Sequence, residues 1–361
     1  MKIALFYDSL VSKGGAERVA IELANNLGAD IITSGYDAKI NQWMPIKNRV
    51  IDIENFSVHF LKPLGILFEA PIRFFLNKNR FHYDINIYVG FSSIFGSKRG
   101  IKNIWYCLTP NKLFYDDKSV RIKKLNIFKQ IILWLYRLVF KSFDQLIIKQ
   151  NFTATIAQTK CVAQRINRIY KIKAKVIYSP VDTKRFKFNE FGDYFLSVGR
   201  LYPEKRIDLI AKAFTKMPTK KLIIVGDGPM RSNILNIIRG NSNIKWQGSI
   251  SERELFNLYS NCLATIYIPL HEDFGLVPLE GMASGKTCIA TNEGGCKETV
   301  IDGKTGFLTK ATEEDIIKTV KKFNIKKARK MKNDCLKWVK RFDTKECIKQ
   351  WKKEIEGLKI I

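Results

Sequence analysis

Short apolar runs that end in Gly, Asp or Ser and lead into amphipathic stretches recur along this chain, and the series occurs twice. In the first half the runs are residues 3–7, 31–34, 85–89 and 104–106; in the second they are 195–198, 222–225, 264–268 and 287–290. Runs of four or five residues that are apolar at nearly every position are strands covered on both faces. Their alternation with helical segments marks an α/β chain built on parallel sheets. Between the two series, Ile177-Tyr178-Ser179-Pro180-Val181-Asp182 ends a strand in a Pro-containing turn, and residues 183–193 hold no long apolar run, so the domain boundary falls near 180. The expected architecture is two doubly wound α/β domains, residues 1–180 and 181–341, facing each other across a cleft with ligands at the carboxyl ends of the strands. Residues 342–361, with Cys347, Trp351 and Glu354, read as an amphipathic C-terminal helix.

Composition narrows the partners. The 361 residues carry 62 Lys plus Arg against 34 Asp plus Glu, a net charge of +28, which calls for an anionic partner: nucleic acid, a phosphorylated substrate or an acidic membrane. Seven cysteines with no CxxC and no Cys/His metal spacing argue against a disulfide framework or a zinc site and fit a reducing, cytoplasmic setting. The first eight residues pass from Lys2 to Asp8 through too few apolar positions for a signal core or a membrane span, and read as a buried strand. Two stretches stand apart. Residues 56–78 are dense in Phe and Leu, are broken by Pro63 and Pro71, and carry Lys62, Arg73 and Lys78. Residues 118–149 hold eight basic residues against the single Asp144, interleaved with Trp134, Leu135, Tyr136, Leu138, Val139 and Phe140. Arg137 and Lys141 interrupt that apolar run, which argues against a transmembrane helix. Two readings stay open: an interfacial helix on an anionic membrane, and a core-facing helix with a solvated basic face.

The most informative segment is residues 271–286, HEDFGLVPLEGMASGK. A strand runs into a loop with Glu272, and a helix then starts around Gly275 and ends at Gly285. Helix starts expose unpaired N–H groups and the positive end of the dipole, a ready seat for phosphate. Glu280 follows Glu272 by eight residues, so at about 1.5 Å of rise per residue the carboxylates lie up to roughly 12 Å apart, near the span from a ribose to a sugar across a diphosphate. Each glutamate alone would more often be a solvated charge or a helix-end partner. Arg200 and Lys205, five apart at the end of a strand, are placed to bracket a diphosphate, with surface ion pairing as the alternative. Gly14-Gly15 before a helix allows close backbone approach of a ligand, or is a tight turn. Gly226-Asp227-Gly228-Pro229 half-matches a dinucleotide glycine motif but has Arg231 where the third glycine belongs, which disfavours a Rossmann oxidoreductase.

Taken together, Glu272-x7-Glu280 with its following Gly-Met-Ala-Ser-Gly-Lys, Gly294-Gly295-x2-Glu298-Thr299-Val300, Asp302-Gly303-Lys304-Thr305-Gly306, Gly14-Gly15-Ala16-Glu17-Arg18, Ser179-Pro180-Val181-Asp182 and Val198-Gly199-Arg200-Leu201 with Lys205 resemble the retaining glycosyltransferases of family 4. The resemblance covers nearly the whole chain. It implies the GT-B architecture of two Rossmann-like domains, with the C-terminal helix crossing back to the first. It also implies catalytic roles for Arg200, Lys205 and Glu272, and a donor site formed by Gly14, Gly15, Arg200, Lys205, Ile250, Glu272, Phe274, Gly275, Leu276, Val277 and Glu280. In the family the two cations stabilise the departing nucleotide diphosphate, Glu272 contacts the transferred sugar, and Glu280 accepts from the ribose hydroxyls. Trp246-Gln247-Gly248-Ser249-Ile250 resembles the segment beside the base. The absence of any Asp-x-Asp argues against the metal-dependent GT-A class, so neither metal nor cofactor is expected.

Tyr106-Cys107-Leu108-Thr109-Pro110-Asn111-Lys112 departs from related mannosyltransferases, which typically have His at the position of Leu108 and Arg at that of Lys112. None of His59, His82 and His271 falls in that register, though His271 beside Glu272 is a candidate sugar contact. The Glu-Asp-Phe-Gly-Leu-Val-Pro variant and the Tyr-Cys-x-Thr-Pro segment resemble GDP-mannose mannosyltransferases. The implied activity is transfer of a hexose, first mannose from GDP-mannose, to a glycan or polyprenyl-linked hydroxyl, with a UDP-linked glucose, galactose or N-acetylhexosamine donor as the alternative. Residues 56–78 and 118–149 would meet an anionic membrane at its cytoplasmic face, and no nucleic acid is expected. A basic nucleic-acid- or membrane-binding protein without catalysis is the alternative of another class, though the chain has no RNP-like aromatic string.

Overall fold

The computed structural model describes residues 1–53, 66–115 and 127–359. The chain divides into two compact units, Met1–Pro180 with Cys347–Ile361, and Val181–Glu346.

The first unit is a seven-stranded parallel sheet: β1 (Ile3–Tyr7), β2 (Asp30–Thr33), β3 (Val50–Asp52), β4 (Ile85–Val89), β5 (Asn103–Cys107), β6 (Ala154–Ala157) and β7 (Lys175–Val176), in the order β3-β2-β1-β4-β5-β6-β7. Every residue of β1, β4 and β5 is buried, as the uninterrupted apolar runs require of strands covered on both faces. Alternation then sorts the side chains. Leu5, Tyr7, Ile87, Ile104 and Tyr106 enter one core, while Phe6, Tyr88, Trp105 and Cys107 enter the other. The first core is closed by α1 (Gly15–Leu27); the second by α2 (Ile66–Asn77), α3 (Ile127–Asn151) and α4 (Lys160–Tyr170) through Phe74, Ile148, Val162, Ile166 and Tyr170.

Contrary to the expectation from sequence, Pro71 does not break its stretch: it lies inside α2. The helix carries the missing N–H donor because its inner face is pinned on both sides of the proline. Phe74 is in the core, and Glu69 and Arg73, four residues apart, form a buried 2.9 Å ion pair while Arg73 also donates to the Ser34 carbonyl. Pro63 and residues 118–126 lie outside the described residues.

The second unit is a six-stranded parallel sheet: β8 (Tyr194–Val198), β9 (Lys221–Val225), β10 (Ile244–Trp246), β11 (Ala264–Tyr267), β12 (Thr287–Thr291) and β13 (Gly306–Thr309), in the order β10-β9-β8-β11-β12-β13. Its helices include α5 (Ile207–Thr215), α6 (Glu252–Asn261), α7 (Leu276–Ala283), α8 (Glu313–Lys322) and α9 (Ile325–Val339). In both sheets the chain starts in the middle and winds out first one way and then the other, so each has a switch point beside its first strand.

The final helix, α10 (Thr344–Lys359), carries Cys347, Ile348, Trp351, Ile355 and Leu358 into the first core of the first unit, where the Trp351 and Tyr106 rings meet edge to face at 5.0 Å. Cys347 donates to the Tyr178 carbonyl and Lys175 pairs with Glu354. Among the described residues no helix is long and apolar enough to cross a membrane.

Candidate active site

In the second unit β8 and β11 are hydrogen-bonded neighbours on either side of the switch point. A short 3₁₀ turn, Pro203–Lys205, follows β8, and the Leu270 N–H after β11 donates to the Glu204 carbonyl at 2.7 Å, which ties the two strand ends together. Three side chains converge there. The Lys205 ammonium donates to Glu272 Oε2 at 2.7 Å and to the Tyr267 hydroxyl at 3.1 Å, and that hydroxyl donates to the same Glu272 oxygen at 2.7 Å. The ion pair is only partly exposed, with side chains 24% and 19% accessible, so it is stronger than a surface pair. Burial and the Glu272 carboxylate hold the Tyr267 phenol well above its usual range, which keeps it a neutral donor.

The loop that carries Glu272 is supported from behind by Gly294-Gly295. Gly294 has φ of +53°, a Cβ there would fall 2.1 Å from the Glu272 carbonyl oxygen, and the Gly295 N–H donates to that oxygen at 2.7 Å. Any side chain at 294 pushes Glu272 away from Lys205. On the other side, Gly226 at φ +126° lets the end of β9 pass so close to the Gly199 carbonyl that a Cβ would meet it at 2.0 Å. The half-glycine motif at 226–229 is therefore a packing device under the Arg200 loop.

Helix α7 begins at Gly275, whose φ of +90° turns the chain sharply out of the Glu272 loop. No side chain caps the helix and its first turn has no acidic residue, while Pro278 at the third helical position needs no hydrogen-bond acceptor. The Leu276 and Val277 N–H groups thus head the positive end of a helix with neither a side-chain cap nor an acidic residue in its first turn. One turn further in, Glu280 is 8% exposed in an otherwise apolar buried helix, and its Oε2 accepts from the Tyr259 hydroxyl of α6 at 2.7 Å.

Of the residues expected from sequence, Lys205 and Glu272 are brought into direct contact, and Glu280 holds a separate station on α7. Arg200 is exposed, its guanidinium 5.5 Å from the Tyr202 ring centroid. Phe274 is buried against Phe342, and Ile250 is half-buried just before α6. His271 is exposed, with φ of +48°. Gly14 and Gly15 belong to the first unit, at the start of α1. The space a Cβ at Gly14 would take is filled by the Glu17 carboxylate, which accepts from Ser12. Leu108 packs on the first core and its carbonyl accepts from Gln158, so this position serves packing. Tyr267 and Tyr259, which orient the two glutamates, were missed; the last residue of a strand aimed at a predicted ligand edge is the signal that would have found Tyr267.

Comparison with known proteins follows this geometry. Residues 180–338 match the family model described as glycosyl transferases group 1. The chain is 26% identical over 389 residues to the alpha-1,3/1,6-mannosyltransferase ALG2 of Dictyostelium discoideum, covering 87% of each chain. It is 24% identical over 302 residues to the GDP-Man:Man(3)GlcNAc(2)-PP-Dol alpha-1,2-mannosyltransferase of Mus musculus, covering 75% of this chain and 58% of that one. Among solved structures, Anabaena Alr3699/HepE in complex with UDP and glucose superposes with a TM-score of 0.76 at 17% identity over 99% of this chain and all of that one. These structural neighbours share the GT-B fold of two Rossmann-like domains.

Proposed function

We propose that this chain, a hexosyltransferase whose residues 180–338 match the glycosyl transferases group 1, moves mannose from GDP-mannose to a hydroxyl of a glycan or polyprenyl-linked saccharide with retention at the anomeric carbon. The observation that carries the reading is the Lys205–Glu272–Tyr267 cluster at the switch point, beside the uncapped start of α7. Mannose as the sugar, and a lipid diphosphate as carrier, are supported by the names of the two mannosyltransferase relatives.

The residues then divide the work. The nucleotide diphosphate lies at the α7 N-terminus, where the Leu276 and Val277 N–H groups and the helix dipole face it. Lys205 and Arg200 take up the charge that grows on the β-phosphate as the bond from the sugar C1 to the phosphate oxygen breaks. A phosphate oxygen on the Lys205 ammonium exchanges that cation's partner and frees Glu272 for the sugar hydroxyls. Glu280 accepts from the ribose hydroxyls. The acceptor oxygen bonds to C1 on the face the diphosphate leaves, and its proton passes to the departing diphosphate oxygen, so no enzyme nucleophile and no metal is required. The catalytic roles are Arg200, Lys205 and Glu272, and no cofactor takes part. The enzyme works from the cytoplasmic face, peripheral to the membrane that carries its acceptor.

Incubation with GDP-mannose labelled at C1 and a short-chain polyprenyl-linked saccharide tests this. The reading expects an α-linked mannosyl product; transfer only from a UDP-hexose would replace the donor, and a β-linked product would remove the retaining mechanism.

A further inference from the structure

Among the described residues, helix α3 is apolar on two faces, one buried and one exposed. Tyr136, Asp144 and Ile148 are buried, with Phe140 and Ile147 packed beside them. On the opposite side Ile127, Ile131, Trp134, Leu135, Leu138 and Leu146 repeat at helical spacing and are all about half exposed or more, Trp134 at 60%. A water-facing stripe of this size on a solvated helix marks a contact surface. Helix α2 adds Phe75 and Leu76, also more than half exposed, and both helices pack against the same short turn, Ser93–Gly96.

The charges select the occupant. Asp144, the single acid of α3, points inward and accepts from the Tyr115 and Tyr170 hydroxyls, and Glu69 of α2 is spent on buried Arg73. Of the cations, Arg137 is half-buried and donates to the Phe114 carbonyl, whereas Lys141 and Lys149 are exposed on α3, Lys141 with its ammonium 5.4 Å from the Tyr115 ring centroid, Arg80 is exposed just after α2, and the Lys78 ammonium sits 3.9 Å over the Phe75 ring. Acids turned inward and exposed lysines beside an apolar stripe complement an anionic lipid surface, whose headgroups meet the lysines while the aromatic and branched side chains enter the acyl boundary. A second copy of this chain would bring +28 against +28.

We propose that the outer face of α3, with Phe75 and Leu76 of α2, docks the protein on an anionic lipid bilayer without crossing it. The proposal names the surface that delivers the enzyme to a lipid-borne acceptor, and in that sense rests on the function above. Flotation of the full chain with phosphatidylcholine vesicles, with and without phosphatidylglycerol, tests it, using the pairs Trp134→Ser/Leu138→Ser and Lys141→Gln/Lys149→Gln. The native chain is expected to float with the phosphatidylglycerol vesicles. The apolar pair should lose roughly tenfold or more of that partition, and the lysine pair its salt-sensitive part. Both pairs should keep the native melting temperature, GDP binding and transfer to a water-soluble acceptor. A native chain that stays in the aqueous phase, an apolar pair that floats equally well, or a native dimer that the apolar pair converts to monomer would each overturn the proposal. Loss of GDP binding by the native chain would instead strike the donor reading and leave the membrane result standing.

Discussion

The Tyr267 hydroxyl orients both charges of the Lys205–Glu272 pair, and Tyr267→Phe removes it while leaving the ring. The variant is expected to lower kcat about tenfold with little change in GDP affinity, whereas an equal loss in both would make Tyr267 part of the nucleotide seat. The Lys205–Glu272 contact was legible in part from the sequence, because a cation after one strand and a carboxylate after its neighbour meet wherever the two strands are adjacent at the switch point. Tyr267 was not legible: its role depends on where a side chain at a strand end points, which spacing does not encode. Asp144 gives a pH signature. Burial pushes its carboxyl from 3.8 up to about 6 against the opposing pull of the Tyr115 and Tyr170 hydroxyls. Between those values the folded chain holds a proton that the unfolded chain has released, so this group's contribution to stability falls as pH rises from about 4 to 6. Asp144→Asn keeps an acceptor and has no proton to lose. The melting temperature of the variant relative to the native chain should therefore climb across that window and level off above it, and a constant offset would contradict the assignment.

Among the elements, β1, β4 and β5 were disclosed by the sequence because they are buried on both faces, where an unbroken apolar run has no other use. Among those it concealed, β3 is only half-buried throughout, β7 is two residues long, β10 alternates with an exposed lysine, and β6 opens with two half-buried residues. Pro71 misled for a related reason, since local propensity says nothing of the ion pair and core contact that hold α2 around it. The apolar positions of α10 at 347, 348, 351, 355 and 358 were readable, and Trp351 is fully buried by them. Trp351→Ala should destabilise the first unit by about 3–5 kcal/mol, seen as a lower urea midpoint. At the start of α6, Ser251 and Glu254 form a reciprocal capping box; Ser251→Ala should cost about 1 kcal/mol by the same measurement. No loss in either would mean that these contacts are not what fixes the helices.

On the scale of the whole molecule, the division of labour follows from the two sheets. In the proposed function the second unit carries the residues that meet a diphosphate, and the proposed docking surface, the exposed apolar face of α3 with Phe75 and Leu76 of α2, lies in the first. Composition alone left the excess of positive charge open among nucleic acid, phosphate and membrane; the two proposals use a small part of it, at Arg200 and Lys205 and at Lys141 and Lys149 of α3. The second unit is proposed as a guanine nucleotide-sugar site that works without a metal. Calorimetric titration with GDP and UDP, with and without EDTA, tests it on the native chain, on Arg200→Ala and on Glu280→Gln, which spares the Tyr259 hydrogen bond. GDP binding is expected to survive EDTA, to exceed that of UDP, and to weaken roughly tenfold or more in each variant. Binding that EDTA abolishes, or that neither substitution changes, would contradict it.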